Sequence, residues 1–128
     1  MVSPTTQDLE AAQASISSTI RKSEKACATL SQKQQPRLGQ MAMLSKNIQN
    51  LSVMLALIRR RLGDVADPPS AQAMEEALRA IPSYIGQIEK VLPKFPVGTP
   101  QHTLALRRIA AYRLAESLLR GVGSEAAV

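Results

Sequence analysis

Aromatic residues are scarce in this sequence: Tyr84, Phe95 and Tyr112 are the only ones among 128 residues, and there is no Trp. β-Sheets draw on aromatic and β-branched side chains, whereas helix bundles are packed largely with Leu, Ile, Ala and Met. The hydrophobic share is nevertheless 45%, which is enough for a packed core, and the length suits one domain. We therefore expect a single all-α domain.

Cysteine and histidine are equally scarce, with Cys27 and His102 the only ones. A lone thiol cannot form an internal disulfide, and no second Cys or His is present to complete a structural zinc site. The first residues lack the pattern of a signal peptide, and no apolar run approaches the roughly 20 residues of a membrane span. These absences predict a cytoplasmic protein with no disulfide, metal, cofactor or membrane contact.

Four segments carry apolar residues at helical spacing. They are residues 5–32, 38–62, 70–95 and 100–120. Thr5, Ser70 and Thr99 lie at the starts of three segments, and such residues favour helix N-caps. The second segment has a strict heptad seam typical of a coiled coil, formed by Met41, Leu44, Ile48, Leu51, Leu55, Ile58 and Leu62.

Short connectors join these segments, and short connectors favour antiparallel neighbours. We therefore expect an antiparallel four-helix bundle built from two helical hairpins, residues 1–63 and 64–123, with 124–128 as a flexible tail. Pro82 lies inside the third helix, where it removes a backbone donor and crowds the preceding turn. The third helix should consequently be kinked or broken at Pro82.

The two hairpins show signs of an internal repeat. One constant offset aligns Ile16 with Ile81, and a slightly shorter offset aligns Ile48 with Ile109. The difference between the two offsets falls in a turn, where length changes easily. Chance agreement between two amphipathic helices is the alternative explanation.

No catalytic motif is present: the sequence lacks GxGxxG, GxxxxGK[ST], HExxH and CxxC. Glu75 and Glu76 are adjacent, so on a helix they diverge by about 100° and do not form an acid–base pair. We predict no catalytic residue and expect a protein that is not an enzyme. A small ligand-binding or enzymatic site around His102, in the first turn of the fourth helix, is the weakest alternative.

The net charge of +6 belongs to the first hairpin. Residues 1–63 hold nine Lys or Arg and three Asp or Glu, whereas residues 64–128 hold seven of each. A nucleic-acid-associated regulatory protein is therefore the first alternative, with Arg59, Arg60 and Arg61 as anion or nucleic-acid contacts. That function needs one contiguous basic patch, and the interleaved aromatics of single-strand binders are absent.

Apolar residues exceed what one stripe per helix requires. The second helix carries Met43, Val53, Met54 and Leu57 outside its seam, and the fourth carries Leu106 and Ile109 beside its polar face. Such an excess indicates a further buried contact. We therefore predict a non-enzymatic protein–protein interaction module, such as an assembly subunit, adaptor or chaperone-like protein. It would bind a protein partner or form a homo-oligomer, with a dimer favoured, through these six residues.

Overall fold

The computed structural model describes residues 3–33, 35 and 37–126, with side chains as far as Gly121. The chain forms four α-helices: α1 (Thr6–Ser31), α2 (Leu38–Arg61), α3 (Ala71–Val91) and α4 (Pro100–Ala126). A short 3-10 turn, Leu92–Lys94, follows α3. No strand occurs within the described residues, and the helices pack together as predicted. The all-α four-helix bundle is confirmed.

The predicted caps start three of the helices. The Thr5 hydroxyl accepts a hydrogen bond from the Asp8 amide at 3.0 Å, and the Asp8 carboxylate accepts one from the Thr5 amide at 3.1 Å. The hydroxyls of Ser70 and Thr99 likewise accept from backbone amides in the first turns of α3 and α4, at 3.1 Å and 3.3 Å. Each cap satisfies amide groups that have no partner inside the helix.

The helices pack in a ring in chain order. α1 contacts α2 and α4, α3 contacts α2 and α4, and α2 also contacts α4 across the bundle. α1 and α2 are antiparallel, since Thr19 shares a cavity with Leu51 whereas Thr29 shares a groove with Gln40. α2 therefore touches all three other helices.

The core lies where the four helices meet. Its largest fully buried side chains are Ile16, Leu51, Met54, Ile58 and Ile81. Ala77 and Ala115 are also completely buried, and their small side chains suit close approach of α3 and α4. Burying a large aliphatic side chain contributes about 1.5–3 kcal/mol, so this cluster supplies the main stabilisation of the bundle.

The third helix runs through its proline. α3 is one helix from Ala71 to Val91 with Pro82 inside it, so the chain does not break there. The missing amide of Pro82 deprives only one carbonyl of its helical partner, and packing of Ile81 and Ile85 holds the flanking turns. A kink at Pro82 stays a prediction, as does the internal repeat.

α3 and α4 end at different places from those expected. The predicted third helix reached residue 95, but α3 ends at Val91 and passes into the 3-10 turn Leu92–Lys94, where Pro93 has no amide hydrogen to continue the α-helical hydrogen bonding. α4 continues to Ala126, beyond the predicted end at 120, since a glycine costs a helix only about 1 kcal/mol relative to Ala. Of the predicted tail at 124–128, residues 124–126 belong to α4 and the last two lie outside the described residues.

Among the described helices, one has the length and composition of a membrane span, and it is α2. This is a weak indication, because a core helix of a soluble protein passes the same test. Five of the apolar residues of α2 are buried in the bundle: Leu51, Met54, Leu55, Leu57 and Ile58.

Two methionines of α2 provide a matched test of this fold. Met54 is 0% exposed and Met43 is 56% exposed. Met54→Ala should lower the free energy of unfolding by about 2–5 kcal/mol, because it opens a cavity in the core. Met43→Ala should change it by less than about 0.5 kcal/mol. Urea denaturation followed by circular dichroism measures both, and equal losses would contradict this packing.

Candidate functional site

The predicted partner face is divided by the fold. Met43 is exposed and Val53 is half-buried, but Met54 and Leu57 are only 0% and 6% exposed. The prediction of an exposed surface is therefore wrong for Met54 and Leu57. Their burial follows from the three neighbours of α2, which cover a wider arc than the heptad seam alone.

The two residues predicted on α4 also differ from each other. Leu106 is 46% exposed, whereas Ile109 is half-buried and packs against the core. Ile109 therefore belongs mainly to the bundle, and Leu106 is the one of the pair that α4 presents to solvent.

The basic residues fall into two groups. Arg59, Arg60 and Arg61 are exposed at the end of α2, where Arg60 donates a hydrogen bond to the Ala66 carbonyl in the connector. Arg37 lies at the other end of α2, roughly 34 Å away at a rise of about 1.5 Å per residue. The three consecutive arginines and the cations around the α1–α2 turn therefore do not form a single contiguous patch.

An open groove lies between α1 and α2 near their connecting turn. Its volume is about 450 Å³, and we call it the tip groove. Leu30 in its wall is buried but lies outside the main core cluster. The groove is lined by Lys22, Lys25, Ala26, Thr29, Leu30, Gln40 and Leu44.

Only two helices build the tip groove. All of its described lining residues come from α1 and α2, and none comes from α3 or α4. α4 contacts α1 elsewhere, for example where Ala12 and Ala111 face a common cavity. Among the side chains that the structure describes, none from α3 or α4 thus lines the tip groove.

The same end of the hairpin carries most of the net charge. Residues 21–46 contain six basic residues and one acidic residue, Glu24, which gives +5 of the chain's +6. Lys46 is paired with Glu76 of α3, and this contact holds the pKa of the Glu76 carboxyl below its usual value. The six basic residues are Arg21, Lys22, Lys25, Lys33, Arg37 and Lys46.

A polar cavity, distinct from the tip groove, is lined by residues of all four helices. Its volume is about 200 Å³, and we call it the four-helix cavity. Every helix contributes at least one polar side chain to its wall. It is lined by Thr19, Ser23, Asn47, Leu51, Tyr84, Gln87, Ile88, Arg108 and Tyr112.

Hydrogen bonds fix one wall of the four-helix cavity. The Tyr84 hydroxyl donates to Asn47 Oδ1 at 2.7 Å and accepts from Asn50 Nδ2 at 3.1 Å. Asn50 is only 5% exposed, so this bond offsets the cost of burying its amide. The network joins α2 to α3 and holds the Asn47 side chain in one orientation.

Another wall is formed by Tyr112 and Arg108. The Tyr112 ring packs on Tyr84 with centroids 5.6 Å apart and an interplanar angle of 45°. Burial raises the pKa of Tyr112 to about 12, although the nearby Arg108 guanidinium acts in the opposite direction. Burial also raises the pKa of Tyr84.

His102 has a structural role at its backbone, where its amide donates to the Thr99 hydroxyl. Its side chain is half-buried and lines neither the tip groove nor the four-helix cavity. In the part of the chain that the structure describes, no three His, Cys, Asp or Glu side chains are grouped for a metal ion. The geometry gives the His102 alternative no support.

The sequence pattern gives little sign of the four-helix cavity, because its polar residues come from four separate segments. The usable signal is that both tyrosines of the chain lie at inward positions and that Asn47 and Asn50 flank the apolar seam of α2. Comparison with protein-family models, with curated proteins and with solved structures gave no match. The geometry alone therefore defines the class: a four-helix-bundle protein with a basic tip groove and a polar cavity between its helices.

Tyr112 should make the bundle sensitive to alkali. Its folded pKa of about 12 exceeds the ordinary value of 10.0, so its stabilising effect is complete below pH 10 and is lost as pH rises towards 12. Between pH 9 and 11.5 this loss amounts to about 2 kcal/mol, at about 1.36 kcal/mol per pKa unit.

The matched variant is Tyr112→Phe, which has no hydroxyl to ionise. Urea denaturation at both pH values should show that the variant loses about 2 kcal/mol less stability than the unsubstituted protein. Lysine titration is common to both proteins and cancels in the comparison. Equal losses would mean that Tyr112 ionises as freely in the folded protein as in the unfolded chain.

Proposed function

We propose that this protein is a non-enzymatic interaction module that binds an acidic, amphipathic helix of another protein in the tip groove. The observation that carries the proposal is that the described lining of this groove comes from α1 and α2 alone. Within the described residues, α3 and α4 therefore add no side chain to an apolar lining in which Ala26 is exposed, Leu44 is half-buried and Leu30 is buried.

The groove has the chemistry of a helix-binding surface. Ala26, Leu30 and Leu44 supply apolar contacts, and an amphipathic helix buries its apolar face in such a groove through residues spaced three and four apart. Lys22 and Lys25 border the groove and would face carboxylates on the flanks of the partner helix.

Charge favours an acidic partner over a second copy of this chain. Residues 21–46 stay strongly positive even with Lys46 paired to Glu76, so two copies would repel one another there, whereas an acidic helix would be attracted and guided to the groove. Nucleic acid remains the alternative partner for the same charge. It is less favoured because residues 21–46 contain no aromatic side chain for stacking.

A labelled synthetic helix tests the proposal. The probe is a peptide with Leu at heptad positions a and d and mainly Glu elsewhere, and its control is the same peptide with Lys in place of Glu. Fluorescence anisotropy should show that the acidic peptide binds and that the Lys-containing control peptide does not. Ala26→Glu should weaken that binding by about tenfold, because it places a carboxylate in the groove.

Ala28→Glu is the matched control, since Ala28 is equally a surface residue of α1 but lies outside the groove. It should bind the acidic peptide several-fold more tightly than Ala26→Glu does. Equal binding of the two peptides, or equal loss in the two variants, would refute the proposal. A stable homodimer by light scattering that the acidic peptide fails to dissociate, or displacement of the peptide by duplex DNA, would assign the tip to those partners instead.

A further inference from the structure

We propose that the four-helix cavity binds a small organic anion, whose carboxylate or phosphate group contacts Arg108. The cavity is separate from the tip groove and differs from it in character, because most of its lining residues are polar. Its residues come from all four helices, so the site exists only in the folded bundle.

The lining of the cavity combines one cation with several side chains that can donate hydrogen bonds. Arg108 brings a guanidinium with five N–H groups, while Ser23 and Tyr112 bring hydroxyls and Gln87 an amide. The Asn47 side-chain oxygen accepts a hydrogen bond from Tyr84, so its amide hydrogens stay available to donate to a ligand. No Asp or Glu is among the described residues that line the cavity. A site with one cation, several available donors and no carboxylate among its described lining residues favours an anion.

Two of these donors lack an acceptor within the described part of the chain. Arg108 forms no ion pair there, although Arg79 of α3 and Arg120 of α4 do. Tyr112 is only 6% exposed, and its hydroxyl makes no hydrogen bond to another described residue. In the described part of the chain, every side-chain oxygen or nitrogen that is fully buried has a hydrogen-bond partner. The Tyr112 hydroxyl has none, so it is accessible, and it is the cavity that Tyr112 lines. An anionic oxygen held by Arg108 would accept a hydrogen bond from this hydroxyl.

The size of the cavity restricts the ligand. About 200 Å³ is smaller than the roughly 300–1,000 Å³ typical of sites for drug-sized molecules. A short-chain carboxylate or a phosphate with a small substituent fits this volume, whereas a nucleotide does not. Leu51 and Ile88 form the apolar part of the lining and would contact the aliphatic portion of such a molecule.

The chain provides its own reporter for this site. It has no Trp, and both tyrosines line the cavity, so intrinsic tyrosine fluorescence reports on ligand binding at this site. Titration with butyrate and separately with inorganic phosphate should give a saturable change for at least one, and the comparison identifies which anionic group is preferred. Butyramide has nearly the same shape without the charge and should give no saturable change.

Arg108→Gln should weaken binding of the preferred anion by about tenfold or more. Arg107→Gln is the matched control, because Arg107 is the neighbouring arginine of α4, is exposed and lies outside the four-helix cavity. It should retain the affinity of the unsubstituted protein, and Arg108→Lys should retain part of it. Binding of the acidic peptide to the tip groove should be unaffected by Arg108→Gln.

Three results would overturn the inference. The first is no saturable change with either anion at tens of millimolar, and the second is a response to butyramide equal to that with butyrate. Both come from the unsubstituted protein, so they decide the matter even where a variant fails to fold. The third is equal loss of affinity in folded Arg108→Gln and Arg107→Gln, which would indicate a general charge effect.

Discussion

The burial of one broad face of α2 against the three other helices is the interaction on which the rest of this structure depends. Leu51, Met54 and Ile58 lie on that face and are almost completely inaccessible to solvent. Each contributes about 1.5–3 kcal/mol of hydrophobic stabilisation. The same helix then supplies one wall of the four-helix cavity and one wall of the tip groove. Both candidate sites are therefore positioned by the packing of α2.

Polar residues beside this face are tolerated because they form hydrogen bonds. Asn50 is buried next to Leu51, and an amide buried without a partner would cost several kcal/mol in an apolar medium. Tyr84 forms hydrogen bonds with both asparagines of α2 through a single hydroxyl group, which donates to Asn47 and accepts from Asn50. Sliding α3 along α2 would break both hydrogen bonds, so the network favours the observed alignment of the two helices.

The sequence predicted the elements of this fold better than their surfaces. Helix number and the three caps follow from local patterns, because periodicity and capping are properties of neighbouring residues. Met54 and Leu57 were misassigned, since a heptad seam describes contact with one neighbour and α2 has three. The four-helix cavity was missed for a related reason. Thr19, Asn47 and Arg108 are far apart in sequence and come together only through tertiary packing.

An excess of apolar residues on a helix therefore indicates a partner only after the helix's own neighbours have been counted. α2 illustrates both outcomes within one element. Around Met54, the neighbouring helices enclose α2 and the excess is buried inside the bundle. Near Met43, the described lining residues of the tip groove come from α1 and α2, and the same kind of side chain stays exposed. The tip groove is thus open to solvent at the end of the α1–α2 hairpin, and the positive charge of residues 21–46 is the feature from which we propose an acidic partner.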